Sequence, residues 1–184
     1  MTTTIDCSGT PVSIRPFTRA DAAGVAAFAQ SLPEHDLLFL SRDIKHARVI
    51  EAWLDAISAG EIESLVAVVD THVVATTAIV RDPLGWSPHV AEVRMLVSPA
   101  LRGKGLGRAL LDASIALARE AGTTKLMARM TPDQRGAITL FEEAGFRGEA
   151  MLRDHVKGRD GALHDLAILS LDVVRSDARR GALV

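Results

Sequence analysis

The stretch Arg102-Gly103-Lys104-Gly105-Leu106-Gly107 sets three glycines between an apolar run, Ala91 to Val97, and a long amphipathic pattern. In that pattern Ala109, Leu110, Ala113, Leu117 and Ala118 recur at helical spacing, with Arg108, Asp112, Arg119 and Glu120 between them. The loop therefore hands a strand over to a helix N-terminus. Unpaired amides and the positive end of the helix dipole favour an anion there, and successive N–H groups can cradle phosphate.

Two familiar phosphate-binding loops do not fit. A Walker loop needs Gly-x-x-x-x-Gly-Lys-Ser/Thr, but Gly105 follows Gly103-Lys104 and Ser98 stands where the first glycine belongs. The dinucleotide pattern Gly-x-Gly-x-x-Gly, counted from Gly103, ends on Arg108, which is too large for close helix–strand packing.

Around the loop the chain reads as one α/β domain over residues 12–173. A strand at Val12 is followed by two helices, the first with Thr18 as N-cap and Asp21 in its first turn. Two strands then turn at Asp70 to His72, and the strand over 91–97 leads into the glycine loop and its helix. A strand over 124–130, a helix ending at Gly145 and two final strands complete a mixed, mostly antiparallel sheet of about seven strands with about four helices. Residues 1–11 and 174–184 are expected to be flexible.

Bulk properties exclude several classes. A net charge of −2 over 184 residues offers no electrostatic case for nucleic acid. No apolar run is long enough to span a bilayer, and the N-terminus lacks a signal peptide's apolar stretch, so a cytoplasmic protein is expected. The single cysteine, Cys7, excludes an internal disulfide and a cysteine-built metal site, and no metal is expected.

The stretch "VSPALRGKGLGRALL" resembles the Arg/Gln-x-x-Gly-x-Gly/Ala signature of the GNAT superfamily of acetyl-CoA-dependent N-acetyltransferases, through Arg102, Gly105 and Gly107. "AITLFEEAGF" is similar to a later segment of that family, and the order of elements matches from about Val12 to Val173. The resemblance implies that the amides of Arg102, Gly103, Lys104, Gly105, Leu106 and Gly107 hold the coenzyme A pyrophosphate. It further implies that Met95, Leu96 and Val97 line the pantetheine arm through main-chain bonds, where their strand and the next splay apart. Lys104 and Arg108 are candidates for the phosphates, Gln134 takes the place of a helix-start asparagine, and Phe141 lies beside the coenzyme slot.

The family implies acetyl transfer from acetyl-CoA to a primary amine, by direct attack and without metal. The acceptor is a small amine, an amino acid or a protein amino group, and homodimers are frequent in the superfamily. Because an aliphatic amine with a pKa of about 10 is mostly protonated at neutral pH, a proton acceptor is needed. Glu92, at the start of the coenzyme strand, is the first candidate and His155 the second. His35, Asp36 and His46 lie in the region that shapes the acceptor site. The family's usual tyrosine acid is Phe141 here, its strand glutamate is Arg129, and the chain holds no tyrosine at all. Those departures leave a second reading, a domain of this fold that binds acyl-CoA without turnover.

Overall fold

A computed structural model describes residues 2–174. Its elements in chain order are β1 (Thr3–Asp6), β2 (Pro11–Pro16), α1 (Ala22–Ser31), α2 (Ala47–Ser58), β3 (Ile62–Val69), β4 (His72–Arg81) and β5 (Val90–Val97). They continue as α3 (Leu106–Glu120), β6 (Lys125–Met130), α4 (Arg135–Glu143), β7 (Arg147–Lys157) and β8 (Leu163–Asp172). One sheet of eight strands runs in the order β1-β2-β3-β4-β5-β6-β8-β7. Every neighbouring pair is antiparallel except β5 and β6.

Alternation along the strands sorts side chains to the two faces. On β3, Leu65 and Ala67 join Leu101, Leu106 and Leu110 under α3, while Val66 and Val68 pack with Val25, Ile50 and Leu54 of α1 and α2. Likewise Ala91 and Val93 of β5 meet Leu111 and Ile115 of α3 and Phe141 of α4. Leu96 faces the other way, onto Phe28, Leu37 and Phe39. Helices α3 and α4 thus cover one face, and α1 and α2 the other.

The sheet has eight strands rather than about seven. The extra one is β1, which pairs with β2 from Thr3↔Ile14 to Asp6↔Pro11, inside the segment expected to be flexible. Its hairpin turns on Ser8 and Gly9, with φ of 55° and 85°, and the Gly9 N–H donates to the Asp6 carboxylate at 3.0 Å. Cys7 is fully buried there, against Val12 and Leu106, although it lies in the segment expected to be flexible. Burial pushes its thiol pKa up. Ser8-Gly9 marks a turn in the sequence, but Thr3–Asp6 holds one apolar residue, Ile5, and no alternating run announces the strand. Residues 175–184, most of the expected C-terminal tail, lie outside the described residues.

The approach to α1 depends on a buried charge. Asp21, 8% exposed, accepts bonds of 2.6 and 2.8 Å from Arg15, and 3.0 and 2.8 Å from the Thr18 N–H and hydroxyl. Its pKa is lowered to about 2, chiefly by the Arg15 guanidinium, which outweighs the cost of burial. A carboxylate lowered in this way contributes stability above its ordinary pKa, near 4, and loses it as the pH falls towards 2. Asp21→Asn is therefore expected to lower stability by about 2 kcal/mol at neutral pH. Urea melts of the two proteins should converge progressively between about pH 5 and the native pKa.

Candidate acyl-donor and acceptor site

Strands β5 and β6 pair over three residues only: Val90↔Lys125, Ala91↔Leu126 and Glu92↔Met127. Past that last rung the two strands separate, while β5 stays paired to β4 as far as Ala75↔Val97. The outcome is a gap within the sheet, bounded by the main chains of β5 and β6. Because the strands are parallel, the loops that follow them emerge at the same edge. One is the glycine loop before α3 and the other precedes α4.

The direction of the free main-chain groups follows from the ladder. The Ser98 N–H donates to the Val74 carbonyl of β4 at 2.8 Å. With a period of two, Leu96 and Arg94 also bond towards β4, whereas Met95 and Val97 direct theirs into the gap. Of the three residues expected to line a pantetheine arm, Met95 and Val97 have this orientation and Leu96 does not. Its side chain lies on the α1 and α2 face instead. The Val97 carbonyl already accepts from the Arg102 guanidinium at 3.1 and 3.2 Å.

At the mouth of the gap, Gly103 and Gly105 hold φ of 71° and 86°, values that an L side chain strains to adopt. They curl the chain into α3. Among the described residues, none of the N–H groups from Gly103 to Arg108 donates a hydrogen bond within the protein. Six consecutive donors at a helix N-terminus form a concave anion site, and the residues present fit a coenzyme's phosphates. Lys104 is exposed. Arg108 is held by Asp112 at 3.1 Å and lies 3.8 Å from Glu143. Gly107 has a different reason to be small, since a Cβ there would stand 3.1 Å from Leu140 of α4.

Across this mouth lies the turn Glu34–Leu37, whose side chains reach both banks. Asp36 accepts from Arg102 at 2.6 Å, and His35 Nε2 lies 2.7 Å from Asp133, in the loop after β6. His35 also stands 3.3 Å from the Thr131 hydroxyl and edge-on to His164, with ring centroids 5.4 Å apart. His46 is 3.9 Å from Asp43, away from this group. Gln134 caps α4 at the same edge, with its carbonyl accepting from Ala137 and Ile138.

Deeper in, at the last β5–β6 rung, Glu92 sits between two guanidiniums. Arg94 donates to it at 3.0 and 3.1 Å, and Arg129 of β6 at 2.7, 2.8 and 3.0 Å. The three side chains are 18%, 22% and 24% exposed. Burial pushes the Glu92 pKa up, but Arg94 and Arg129 more than offset it and hold the carboxyl below its ordinary value. His155 is exposed on β7, and among the described residues no hydrogen bond or ion pair joins it to this cluster. Phe141 is buried, edge-on to Phe146 at 4.9 Å.

Beside Arg94 a cavity of about 370 Å³ opens between α2 and the sheet, walled by Trp53, Ala56, Ala78, Val80 and Leu96. It lies on the same face as Glu92 and Arg129. The role of Arg129 escapes the sequence because it depends on which strands become neighbours, whereas Arg94 stands two residues from Glu92 on the same strand and face. Their charge on a half-buried strand was the available signal.

The chain belongs to the Acetyltransferase (GNAT) family, which it matches over residues 30–146. It is 35% identical over 83 residues to a protein of Bacillus subtilis (strain 168) named putative phosphinothricin acetyltransferase YwnH. That match covers 45% of this chain and 50% of the relative. It is also 34% identical over 129 residues to a mycothiol acetyltransferase of Renibacterium salmoninarum, covering 68% of this chain and 36% of the relative. The chain thus spans half or less of these relatives' length. Among solved structures, yncA of Salmonella typhimurium, a putative acetyltransferase with its cofactor acetyl-CoA, superposes with a TM-score of 0.75 at 23% identity, covering 88% of this chain and 94% of that one. The spermidine N-acetyltransferase of Vibrio cholerae in complex with CoA and spermine gives 0.74 at 15% identity, with 90% and 97% covered. At such identities these structures speak for the fold.

If the loop amides receive phosphate, Gly105→Asp places a carboxylate where the ligand's charge must lie and forces an L residue into the left-handed region. Two like charges about 4 Å apart at a protein surface repel by roughly 4 kcal/mol, so calorimetric affinity for acetyl-CoA is expected to fall at least a hundredfold. Gly107→Ala should instead leave affinity close to normal and lower the melting temperature through its contact with Leu140.

Proposed function

We propose that the protein is an N-acetyltransferase that brings acetyl-CoA and a primary amine together in one complex, for direct attack of the amine on the thioester. The observation that carries this reading is the continuity of the unpaired Gly103–Arg108 amides, the β5–β6 gap and the Glu92 cluster at its inner end. Acetyl-CoA, the acyl donor, would supply a thioester, whose thiolate is a tolerable leaving group because thiols have a pKa of about 8.5.

Each part of the chain then has a task. The loop amides hold phosphate, and the Met95 and Val97 main chain orients the pantetheine arm in a slot that excludes water. The Met95 N–H, aimed into the gap, is placed to stabilise the oxygen on which negative charge develops. Glu92 stays ionised across the neutral range. With both oxygens engaged by guanidiniums, it takes the amine's proton through an intervening water as the new bond forms. His155, exposed on β7, is the alternative acceptor of that proton. Phe141 has no proton to give, and the departing sulfur takes one from solvent.

Release of thiol from acetyl-CoA, followed across a panel of amines, tests this reading. Acceptor-dependent release is expected. Tight coenzyme binding with no release from any amine would select the non-catalytic acyl-CoA sensor, a reading that the buried Phe141 and the absence of tyrosine favour. Glu92→Gln is expected to lower kcat by about 10²-fold or more at neutral pH, leave coenzyme affinity unchanged, and recover partly at high pH as free amine accumulates. If that variant keeps the wild-type pH–rate profile while His155→Gln flattens its acidic limb, His155 is the base.

A further inference from the structure

We propose that the amine accepted here carries an anionic group, as an amino acid does, and that the Arg94 guanidinium receives it. This rests on the acyltransferase reading above and names the acceptor class of the same site.

The inference comes from counting charge where water is scarce. Glu92 contributes one negative charge, and Arg94 and Arg129 two positive ones, on side chains less than one quarter exposed. Both oxygens of Glu92 are already engaged by both guanidiniums. One partly desolvated positive charge is left over, an arrangement that a second carboxylate would stabilise and an incoming cation would aggravate. The surplus faces a ligand-sized space, because Arg94 lines the cavity of about 370 Å³ under α2. The other charged residues of that lining, Arg42 and Glu61, cancel each other.

Apart from Ser41 and Thr76, the rest of the wall is apolar: Ile44, Val49, Trp53, Val80 and Leu96 among others. A volume near the lower end of small-ligand pockets, with one unbalanced guanidinium in a mostly apolar wall, suits a compact molecule with an anion at one end and an apolar side chain. A polyamine would bring further positive charge to a positive cluster. An amino acid meets every element of the site: its carboxylate pairs with Arg94, its side chain fills the apolar wall, and its amine turns to Glu92 and the gap. In the transfer itself the amine nitrogen bonds to the acetyl carbon and the C–S bond breaks with its electron pair on sulfur. The proton lost by nitrogen balances the thiolate, giving an N-acetyl amino acid and free thiol.

The test pairs each common amino acid with the amine left when its carboxylate is removed, leucine with 3-methylbutylamine for example, and includes spermidine. Thiol release is measured for wild type, Arg94→Gln and Arg94→Lys, with thermal melts to show that each is folded. Calorimetric titration of the corresponding N-acetyl amino acids and N-acetyl amines into the coenzyme-free protein supplies a readout independent of turnover. At least one amino acid is expected to exceed its decarboxylated partner tenfold or more in kcat/KM. Arg94→Gln should bring that ratio near one, and Arg94→Lys should retain part of it.

Equal use of both partners, preference for spermidine, or an unchanged ratio in folded Arg94→Gln would overturn the proposal and leave the acyltransferase reading standing. Absence of thiol release from every amine would overturn that reading instead. Selective binding of an N-acetyl amino acid to wild type, lost in Arg94→Gln, would then still support the anion site. Its absence would sink that too.

Discussion

The structure depends on one interrupted ladder. In a sheet whose other neighbours are all antiparallel, β5 and β6 run parallel and stop pairing at Glu92↔Met127. Leaving main-chain groups unpaired inside a sheet is costly unless something else bonds them, which is why such a gap points to a ligand that carries its own amides. The antiparallel partners on either side, β4 and β8, keep the two strands in place while they diverge. Opening the gap therefore costs the molecule little of its core, which continues beneath it through Val93, Ala128, Phe141 and Phe146.

The same parallel pair decides what gathers at each end. Both following loops emerge at one edge, where the N-terminus of α3 presents unpaired donors and Gln134 caps α4. The turn Glu34–Leu37 spans that edge by pairing Asp36 with Arg102 and His35 with Asp133. Farther round, Arg159, in the turn after β7, reaches Asp43, and its N–H donates to Glu34 at 2.8 Å. The segment between α1 and α2 is thus tied to three separate parts of the sheet, which explains how a stretch with little regular structure can wall a site. At the inner end, the last rung brings Glu92 level with β6, so that Arg129 closes on it from across the gap.

Much of this was legible in the residues. The glycine loop, its strand and its helix follow from local patterning, as do the hairpin at Asp70 and the end of α4 at Gly145. Alternation on β5 even separates Met95 and Val97 from Leu96, although the direction had to be set by the Ser98–Val74 bond. Two things were not legible. The strand at Thr3–Asp6 is short and polar, and it forms because β2 offers an edge. The pairing of Glu92 with Arg129 joins residues far apart in sequence, and no local pattern states which strands will be adjacent. That is why Glu92 could be singled out as a proton acceptor, with Arg94 two residues away as an ion-pair partner, without Arg129 being foreseen.

The central claim is that coenzyme A lies in the β5–β6 gap with its phosphates on the amides before α3. Residue-resolved hydrogen exchange, with and without coenzyme A, tests it most directly. The account predicts slowed exchange at Gly103 to Arg108 and at Met95 and Val97, with Leu96 unchanged because its N–H is already bonded to β4. Slowing that misses the loop amides, or that falls on Leu96 while sparing its two neighbours, would contradict it.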